Sequence, residues 1–221
     1  AWYESVKKSS GSCNIQLSGG EPTVRDDLPQ IIKLGRELGF PFIQINTNGL
    51  RIAEDEEYLN ALKFAGLDSV FLQFDGTEDS IYKQLRGRDL LAIKIKAIEN
   101  CEKHGIGVVL VPTLVPGVNT GNVGEIIDFA LKHIRAVRGV HFQPVSYFGR
   151  IPQPPQDVDR ITLPQLMDEL ERQTKGKIRA ASLKPAKCEN SLCSFHGSFL
   201  YYPESRELTQ ISAKTRCKCV P

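Results

Sequence analysis

The sequence predicts an α/β domain built on a parallel sheet, either open and doubly wound or closed into a full or partial barrel. Five short runs rich in β-branched and aromatic residues are typical of strands, and amphipathic helical patterns separate them. Strand and helix alternate at intervals of roughly 25 to 40 residues, which indicates repeated βαβ units. In both architectures ligands bind at the carboxyl ends of the strands, so the search for a function starts there.

The elements follow one another in a regular order. The predicted strands cover residues 14–18, 42–46, 69–74, 107–112 and 139–145. The predicted helices cover residues 2–8, 27–38, 54–65, 90–104, 123–133 and 164–174. Gly66 and Gly105 end two of these helices, because glycine accepts the left-handed backbone of a helix C-terminus.

The chain changes character after residue 150. Residues 151–156 are rich in proline and predict an extended linker, and residues 176–221 are expected to be irregular. We therefore expect a domain over residues 1–150 and a linker, helix and cysteine-containing extension over residues 151–221.

Composition excludes several classes of partner. The 221 residues carry 28 Lys and Arg against 26 Asp and Glu, a net charge of +2, so no basic excess favours nucleic acid or an anionic membrane. No run of about 18 apolar residues predicts a transmembrane segment. The six cysteines are too sparse for a secreted disulfide framework, which favours a reducing, cytoplasmic location.

Polar loops follow the predicted strands. Gly19-Gly20-Glu21-Pro22 follows the first strand, Thr47-Asn48-Gly49 the second and Asp75-Gly76 the third. The first loop lacks the Gly-Lys-Ser/Thr ending of a phosphate loop, and the carboxylate of Glu21 would repel a phosphate. A carboxylate beside two glycines suits a ligand with an ammonium group, because a charge-assisted hydrogen bond is strong.

Leu17-Ser18-Gly19-Gly20-Glu21-Pro22 resembles the GGEP motif of radical S-adenosylmethionine enzymes, and the later strand ends fit the same family over about residues 1–150. The resemblance implies a partial (β/α)6 TIM-type barrel with parallel strands, the first βα unit missing, and an irregular cysteine-rich C-terminal extension. It implies that Glu21 holds the amino group of S-adenosylmethionine and that Asn48, Gln73 and Asp75 approach its carboxylate or ribose. The implied cofactor-binding residues are Gly19, Gly20, Glu21, Pro22, Thr47, Asn48, Gln73, Asp75 and Gln143. No catalytic residue is assigned.

The chain departs from the family at its cluster motif. Three cysteines in a C-x3-C-x2-C loop bind a 4Fe–4S cluster in that family, and this spacing does not occur here. Cys13 and Cys101 stand alone and are expected to be structural. We expect the chain to be the C-terminal part of a longer protein, with the cluster ligands upstream, and to be inactive alone. The alternative is a natural member that has lost its cluster.

Four cysteines crowd into the last 34 positions. Cys188, Cys193, Cys217 and Cys219 are candidate ligands of an auxiliary iron–sulfur cluster or of tetrahedral zinc. Their spacing is not that of a standard zinc pair, so cysteines without a metal remain the alternative.

The order of residues 110–119, 139–150, 159–164 and 193–197 resembles a branch described as molybdenum-cofactor-biosynthesis-like proteins or iron–sulfur oxidoreductases. That branch includes pterin methyltransferases and tetraether lipid synthase. The resemblance implies a 5′-deoxyadenosyl radical and C–H activation for methylation or C–C bond formation. It also implies a pterin-like, lipid or other small-molecule substrate and a reductant protein for the cluster.

Two other functions remain as alternatives. One is a TIM-type enzyme without radical chemistry, which would need a Schiff-base lysine or a phosphate cradle at the strand ends, and the sequence places no lysine there. The other is a binding module stapled by a metal at the C-terminal cysteines.

Overall fold

A computed structural model describes residues 1–149, 154–185 and 193–211 of the chain. The chain falls into two compact units. The first comprises Ala1–Thr113 and Asp128–Gln143, and the second comprises Leu114–Ile127 and the described part of Pro144–Pro221. The predicted boundary at residue 150 lies outside the described residues and stays a prediction.

The described elements alternate as the sequence predicts. The strands are β1 Ile15–Leu17, β2 Ile43–Thr47, β3 Ser69–Gln73, β4 Gly107–Val111, β5 Thr113–Leu114, β6 Val137–Val140, β7 Gln143–Pro144, β8 Phe199–Tyr202 and β9 Glu207–Gln210. The helices are α1 Trp2–Ser10, α2 Leu28–Glu37, α3 Leu50–Glu54, α4 Glu56–Ala65, α5 Asp79–Arg86, α6 Leu91–Lys103, α7 Val123–Lys132 and α8 Leu163–Gln173. Short 3-10 helices cover Pro22–Val24, Thr120–Asn122, Asp157–Asp159 and Ala180–Ser182. Among the described helices, none is long and apolar enough to cross a membrane.

The first unit is built on a parallel sheet in the order β1-β2-β3-β4-β6. In register, Ile15 pairs with Ile43, Ile45 with Val70, and Val70 with Val108. The α/β class with parallel strands is thereby confirmed. The described strands of this unit form an open sheet, and their carboxyl ends share one edge, where the loops after β1, β2 and β3 emerge.

One face of this sheet is apolar and packs on helices. Ile43, Ile45, Val70 and Leu72 point to this face, and all four are fully buried. A Cβ added at Gly35 of α2 would lie 2.9 Å from Ile43 Cδ1, which shows how closely α2 covers β2. Full burial of each such side chain contributes about 1.5–3 kcal/mol, so this layer is the main source of stability in the unit.

The predicted helix over residues 54–65 corresponds to α4, which begins at Glu56, and a short helix that was not predicted, α3, ends just before it at Glu54. The backbone breaks at Asp55, whose φ is −116° and whose carboxylate accepts a hydrogen bond from Tyr58 N at 2.9 Å. Asp55 therefore caps α4, and α3 precedes it. An aspartate inside an apolar pattern was the signal for this break, because such a side chain caps helices better than it continues them.

Two further differences concern α5 and β6. The structure contains α5, which the sequence analysis did not predict, and Asp79 in its first turn accepts hydrogen bonds from Leu90 N and Leu91 N at 2.9 Å each. The strand predicted over residues 139–145 instead begins at Val137, ends at Val140 and is followed by the separate strand β7. Gln143 N and Val145 N donate to Pro112 O and Leu114 O at 2.9 Å each, so the missing N–H of Pro144 falls between two hydrogen bonds and is tolerated there.

The second unit contains α8 and a β-hairpin. Gln173 of α8 accepts a hydrogen bond from Gly124 N at 2.9 Å and donates one to Thr120 O at 2.7 Å, so one amide fastens α8 to the start of α7. Strands β8 and β9 pair antiparallel within the segment that was expected to be irregular. Their composition favours strands on either side of a turn, a signal that the sequence analysis passed over.

Replacing Gly49 by alanine is expected to destabilise the chain more than the same change at Gly87. Both glycines have left-handed φ, 80° and 76°, so the backbone strain of an alanine is shared. At Gly49 the new Cβ would lie 2.4 Å from Leu72 Cδ1, whereas at Gly87 nothing lies within 4 Å. The loss in free energy of unfolding, measured by urea denaturation, should be about 1–3 kcal/mol larger for Gly49→Ala. Equal losses would contradict the tight packing at Gly49.

Candidate functional site

The loop after β1 leaves its backbone open to a ligand. Gly19 and Gly20 have φ of 105° and 54°, and nothing lies within 4 Å of the position where a Cβ would stand on either residue. Glu21 then begins the 3-10 helix Pro22–Val24, with Pro22 buried in its first turn. The two glycines therefore expose peptide groups at the carboxyl edge of the sheet, directly beside the carboxylate of Glu21.

The carboxylate of Glu21 joins this loop to the end of β2. Its Oε1 accepts hydrogen bonds from Thr23 Oγ1 at 2.6 Å, Thr47 Oγ1 at 2.5 Å and Thr23 N at 3.1 Å. Its Oε2 accepts one from Asn48 N at 2.6 Å. The structure thus brings together Glu21, Thr47 and Asn48, three of the residues predicted to contact one ligand. A carboxylate has about four acceptor positions, so Oε2 retains capacity for another donor.

Arg51 supports the loop from α3. Its Nη1 donates to Thr23 O at 2.8 Å, its Nη2 pairs with Asp26 at 2.7 Å, and its guanidinium carbon lies 3.7 Å from the centre of the Tyr58 ring. The hydroxyl of Tyr58 in turn donates to Arg25 O at 2.9 Å. These contacts fix the backbone on which Glu21 stands and so limit the positions that its carboxylate can take.

Gln73 and Asp75 meet a cation at the end of β3. Asp75 is fully buried and accepts hydrogen bonds from Arg86 Nε at 2.8 Å and Arg86 Nη2 at 3.0 Å. With its amide oxygen turned toward the guanidinium, Gln73 accepts from Arg86 Nε at 2.9 Å. The hydrogen bonds that Arg86 donates to Asp75 raise the pKa of Arg86, so the guanidinium stays charged. Ligand contacts by Gln73 and Asp75 stay a prediction, and any such contact shares these groups with Arg86.

A buried lysine reaches the same edge of the sheet. Lys94 of α6 is fully buried, and its Nζ donates to Asn48 O at 2.5 Å. Desolvation lowers the pKa of Lys94 to about 8, against the attraction of Asp75 and Glu21, which raises it. The expectation that no lysine comes to the strand ends was therefore wrong. Because Nζ is enclosed by protein, however, it is placed to brace the loop at Asn48 and not to attack a substrate.

Other predicted site residues lie apart from this cluster or outside the described part. Gln143 is exposed in β7, where its N–H donates to Pro112 O at 2.9 Å, and among the described residues no recorded contact joins it to Glu21, Asn48 or Asp75. Cys193 is an exposed free thiol. Cys188, Cys217 and Cys219 lie outside the described residues, and within the described ranges no group of three or more His, Cys, Asp or Glu side chains is placed to hold a metal.

The two solitary cysteines differ in burial. Cys101 is fully buried in α6, and desolvation raises the pKa of its thiol to about 12. Cys13 is half-buried just before β1. A thiol held protonated by burial is unreactive, which agrees with the structural role expected for Cys101.

Thr23, Arg86 and Lys94 were missed at the sequence level. Lys94 had a visible signal, since it shares a helical stripe with Ala97, Ile98 and Cys101, and a lysine at a buried stripe position needs a polar partner. Arg86 had none, because α5 itself was not predicted. A role for Thr23 could be predicted only if the carboxylate of Glu21 were already known to accept hydrogen bonds from the 3-10 helix that follows it.

Glu21→Gln is expected to lower the free energy of unfolding by about 1–3 kcal/mol, measured by urea denaturation. A glutamine has one acceptor oxygen, so its NH2 group would face either Asn48 N–H or the donors of Thr23 and Thr47. The backbone N–H of Asn48 cannot reorient as a hydroxyl can. Glu37→Gln is the matched control, because Glu37 is exposed and its nitrogen–oxygen distance to Lys33 is 3.9 Å; its loss should stay within about 0.5 kcal/mol. Equal losses in the two variants would refute the role of the Glu21 carboxylate in holding the loop after β1 to the end of β2.

Lys94 should make stability rise with pH between about pH 8 and pH 10. In the folded chain its pKa is about 8, whereas the unfolded value is near 10.5, so across this window the unfolded state binds more protons. The free energy of unfolding of the wild type should therefore increase relative to Lys94→Met, by up to about 3 kcal/mol. Urea titrations of both proteins at pH 7.5, 8.5 and 9.5 test this. A difference that stays constant across these pH values would contradict it.

Comparison with known proteins places this arrangement in context. The family model described as the radical SAM superfamily matches residues 3–130. The 7,8-dihydro-6-hydroxymethylpterin dimethyltransferase of Methanocaldococcus jannaschii is 49% identical over 172 residues, which is 77% of this chain and 34% of that protein. The probable GTP 3′,8-cyclase of Sulfolobus acidocaldarius is 32% identical over 137 residues, 62% of this chain and 43% of that protein. The chain thus spans less than half the length of either relative.

Solved structures agree on the fold. Native anSMEcpe with bound AdoMet superposes with a TM-score of 0.55 at 16% identity, over 80% of this chain and 52% of that chain. A domain of pyruvate-formate lyase-activating enzyme from Bacteroides vulgatus gives a TM-score of 0.53 at 15% identity, over 72% of this chain and 94% of that chain. The family model covers more than half of the sequence, including the Gly19–Pro22 loop and the strand ends around it. The chain belongs to the radical SAM superfamily.

Proposed function

We propose that this chain forms the S-adenosylmethionine-binding part of a radical SAM enzyme that methylates a pterin-like small molecule. The observation that carries the proposal is the Glu21 carboxylate, held at the carboxyl edge of the sheet between the open Gly19–Gly20 backbone and Asn48. The relative at 49% identity is a pterin dimethyltransferase, which favours methylation over C–C bond formation.

The residues present fit S-adenosylmethionine. Free space beside Gly19 and Gly20 admits a ligand to their peptide groups, and Oε2 of Glu21 has acceptor capacity for an ammonium group. The amide oxygen of Asn48 accepts from Leu50 N at 2.9 Å, which leaves its NH2 group to donate to a carboxylate or ribose. When bound, the cofactor and its 4Fe–4S cluster supply the radical that removes hydrogen from an unactivated C–H bond.

The chain's own residues hold the amino group of the cofactor and orient it. Glu21 is restrained by Thr23, Thr47 and Asn48, and the loop beneath it is restrained by Arg51, so an amine bound there has one position relative to the sheet. Orientation of this kind lowers the entropic part of a barrier. Arg86, paired with the buried carboxylate of Asp75, stands at the neighbouring strand end, where its part-exposed guanidinium can donate to a polar ligand.

The ligands of the 4Fe–4S cluster are proposed to come from sequence that precedes Ala1. The described residues bring no three thiolates together, and the 221 residues lack a C-x3-C-x2-C spacing. We therefore propose that the 221-residue chain alone does not cleave S-adenosylmethionine. A reductant protein and a reducing, cytoplasmic location belong to the same proposal, whereas metal binding at Cys188, Cys193, Cys217 and Cys219 stays a prediction.

Anaerobic turnover tests the function in the protein that carries this chain together with an upstream cluster motif. With iron, sulfide, dithionite and S-adenosylmethionine, the wild type should form 5′-deoxyadenosine, and with 7,8-dihydro-6-hydroxymethylpterin it should yield a methylated pterin. Glu21→Ala should lower 5′-deoxyadenosine formation by roughly tenfold or more at equal iron content, because a charge-assisted hydrogen bond is worth about 1.5–3 kcal/mol. Glu37→Ala is the control and should act as wild type.

The outcomes separate the parts of the proposal. No 5′-deoxyadenosine from the reconstituted wild type would reject radical chemistry. Cofactor cleavage without any methylated pterin would reject the substrate and leave the chemistry standing. Full activity of Glu21→Ala would reject the role of the carboxylate.

A further inference from the structure

The sheet face opposite the helices carries amide and aromatic side chains. Gln16 of β1 is in register with Gln44 of β2, and Asn46 of β2 is in register with Phe71 of β3, so all four point to this open face. Gln16 and Asn46 are exposed, while Gln44 and Phe71 are half-buried. Neighbouring strands lie about 4.8 Å apart, so these side chains form one continuous surface.

This open face carries no charge along β1 to β4. By strand alternation its residues are Gln16, Gln44, Asn46, Ser69, Phe71, Gln73, Gly107, Val109 and Val111. An ordinary solvent-facing surface is about 25–35% charged, and asparagine is depleted in strands. Solvation alone therefore does not account for four uncharged amides on β1, β2 and β3.

Two aromatic rings lie beside these amides on the open face. The rings of Phe71 and His141 lie 5.1 Å apart between centroids, with an angle of 51° between their planes. Desolvation lowers the pKa of His141, which favours the neutral imidazole. Beside the amides, the open face thus offers the ring surfaces of Phe71 and His141.

These groups suit a flat, neutral heteroaromatic ring. Asparagine and glutamine amides each present a donor and an acceptor side by side, which is how they pair with the edge of a purine base. Aromatic side chains accept the face of such a ring by stacking. The carboxyl ends of β1 and β2, where Glu21 and Asn48 lie, continue this face toward the proposed cofactor site.

We propose that Gln44 and Asn46 bind the edge of the substrate's heteroaromatic ring and that Phe71 and His141 contact its face. The proposal rests on the proposed function, because it names which side chains select the ring of that same substrate. It commits to a neutral pterin-type ring and not to a nucleoside triphosphate. Arg138 and Arg86 are basic residues beside this face. The Cγ of Arg138 lies 3.4 Å from the Cβ position at Gly107, at the amino end of β4, and the guanidinium of Arg86, which contacts Gln73, is paired with the buried carboxylate of Asp75.

Equilibrium dialysis under anaerobic conditions tests this with the complete protein that carries the chain. The ligands are 7,8-dihydro-6-hydroxymethylpterin and, separately, GTP. Gln44→Leu and Asn46→Asp should each weaken pterin binding by roughly tenfold or more, the range expected for a lost bidentate amide contact. Gln30→Leu, at an exposed position of α2, is the control and should bind as wild type.

Cofactor cleavage without pterin is measured on the same proteins. It should be unchanged in Gln44→Leu and Asn46→Asp, and their melting temperatures should match the control, which separates ring binding from folding. If the wild type binds the pterin and both variants bind it equally well, the inference is overturned while the proposed function stands. If the wild type cleaves the cofactor but binds GTP and no pterin, or neither ring, both the substrate and the inference are overturned.

Discussion

One carboxylate organises the carboxyl edge of this sheet. Glu21 accepts hydrogen bonds from its own 3-10 helix through Thr23 and from the next strand end through Thr47 and Asn48. A partly buried carboxylate is stable only where donors replace water, and here the donors come from two loops that the chain would otherwise leave independent. The carboxylate of Glu21 therefore links the two loops, while Arg51 holds one of them at Thr23 and Lys94 holds the other at Asn48.

Two cationic side chains near Glu21, those of Arg86 and Lys94, are compensated in different ways. Arg86 is paired directly with buried Asp75, so its charge is satisfied whatever the state of the rest of the site. Lys94 has a backbone carbonyl as its recorded partner and feels Glu21 and Asp75 only through space, which explains why desolvation dominates its pKa. The charged state of Lys94 thus depends on the position of the loop at Asn48, whereas the charge of Arg86 is balanced by Asp75 and does not depend on that loop.

Sequence patterns predicted the sheet and the loop after β1 because both rest on local signals. The strand runs alternate with helices in order. In Gly-Gly-Glu-Pro, the carboxylate beside two glycines by itself indicates a site for an ammonium group. The partners of Glu21 and Asp75 were out of reach, because Arg86 and Lys94 are fixed by how α5 and α6 pack on the sheet. Gln143 stays a prediction, since the described contacts do not join it to Glu21 and do not show which strand ends share one site.

The alternation within the strands explains why one face of the sheet suits a ligand. A parallel sheet covered by helices on both faces has nearly continuous apolar strands, as in Val108-Val109-Leu110-Val111 of β4. Strand β2 instead alternates apolar and amide residues through Ile43-Gln44-Ile45-Asn46. The amide of Gln44 donates to Ser69 Oγ at 3.1 Å, but an apolar helix over β2 would bury the amide of Asn46 without a partner, at a cost of about 1–3 kcal/mol. The amide side of the open face is thus suited to a partner that supplies matching donors and acceptors, whereas the side near β4 is suited to an apolar surface.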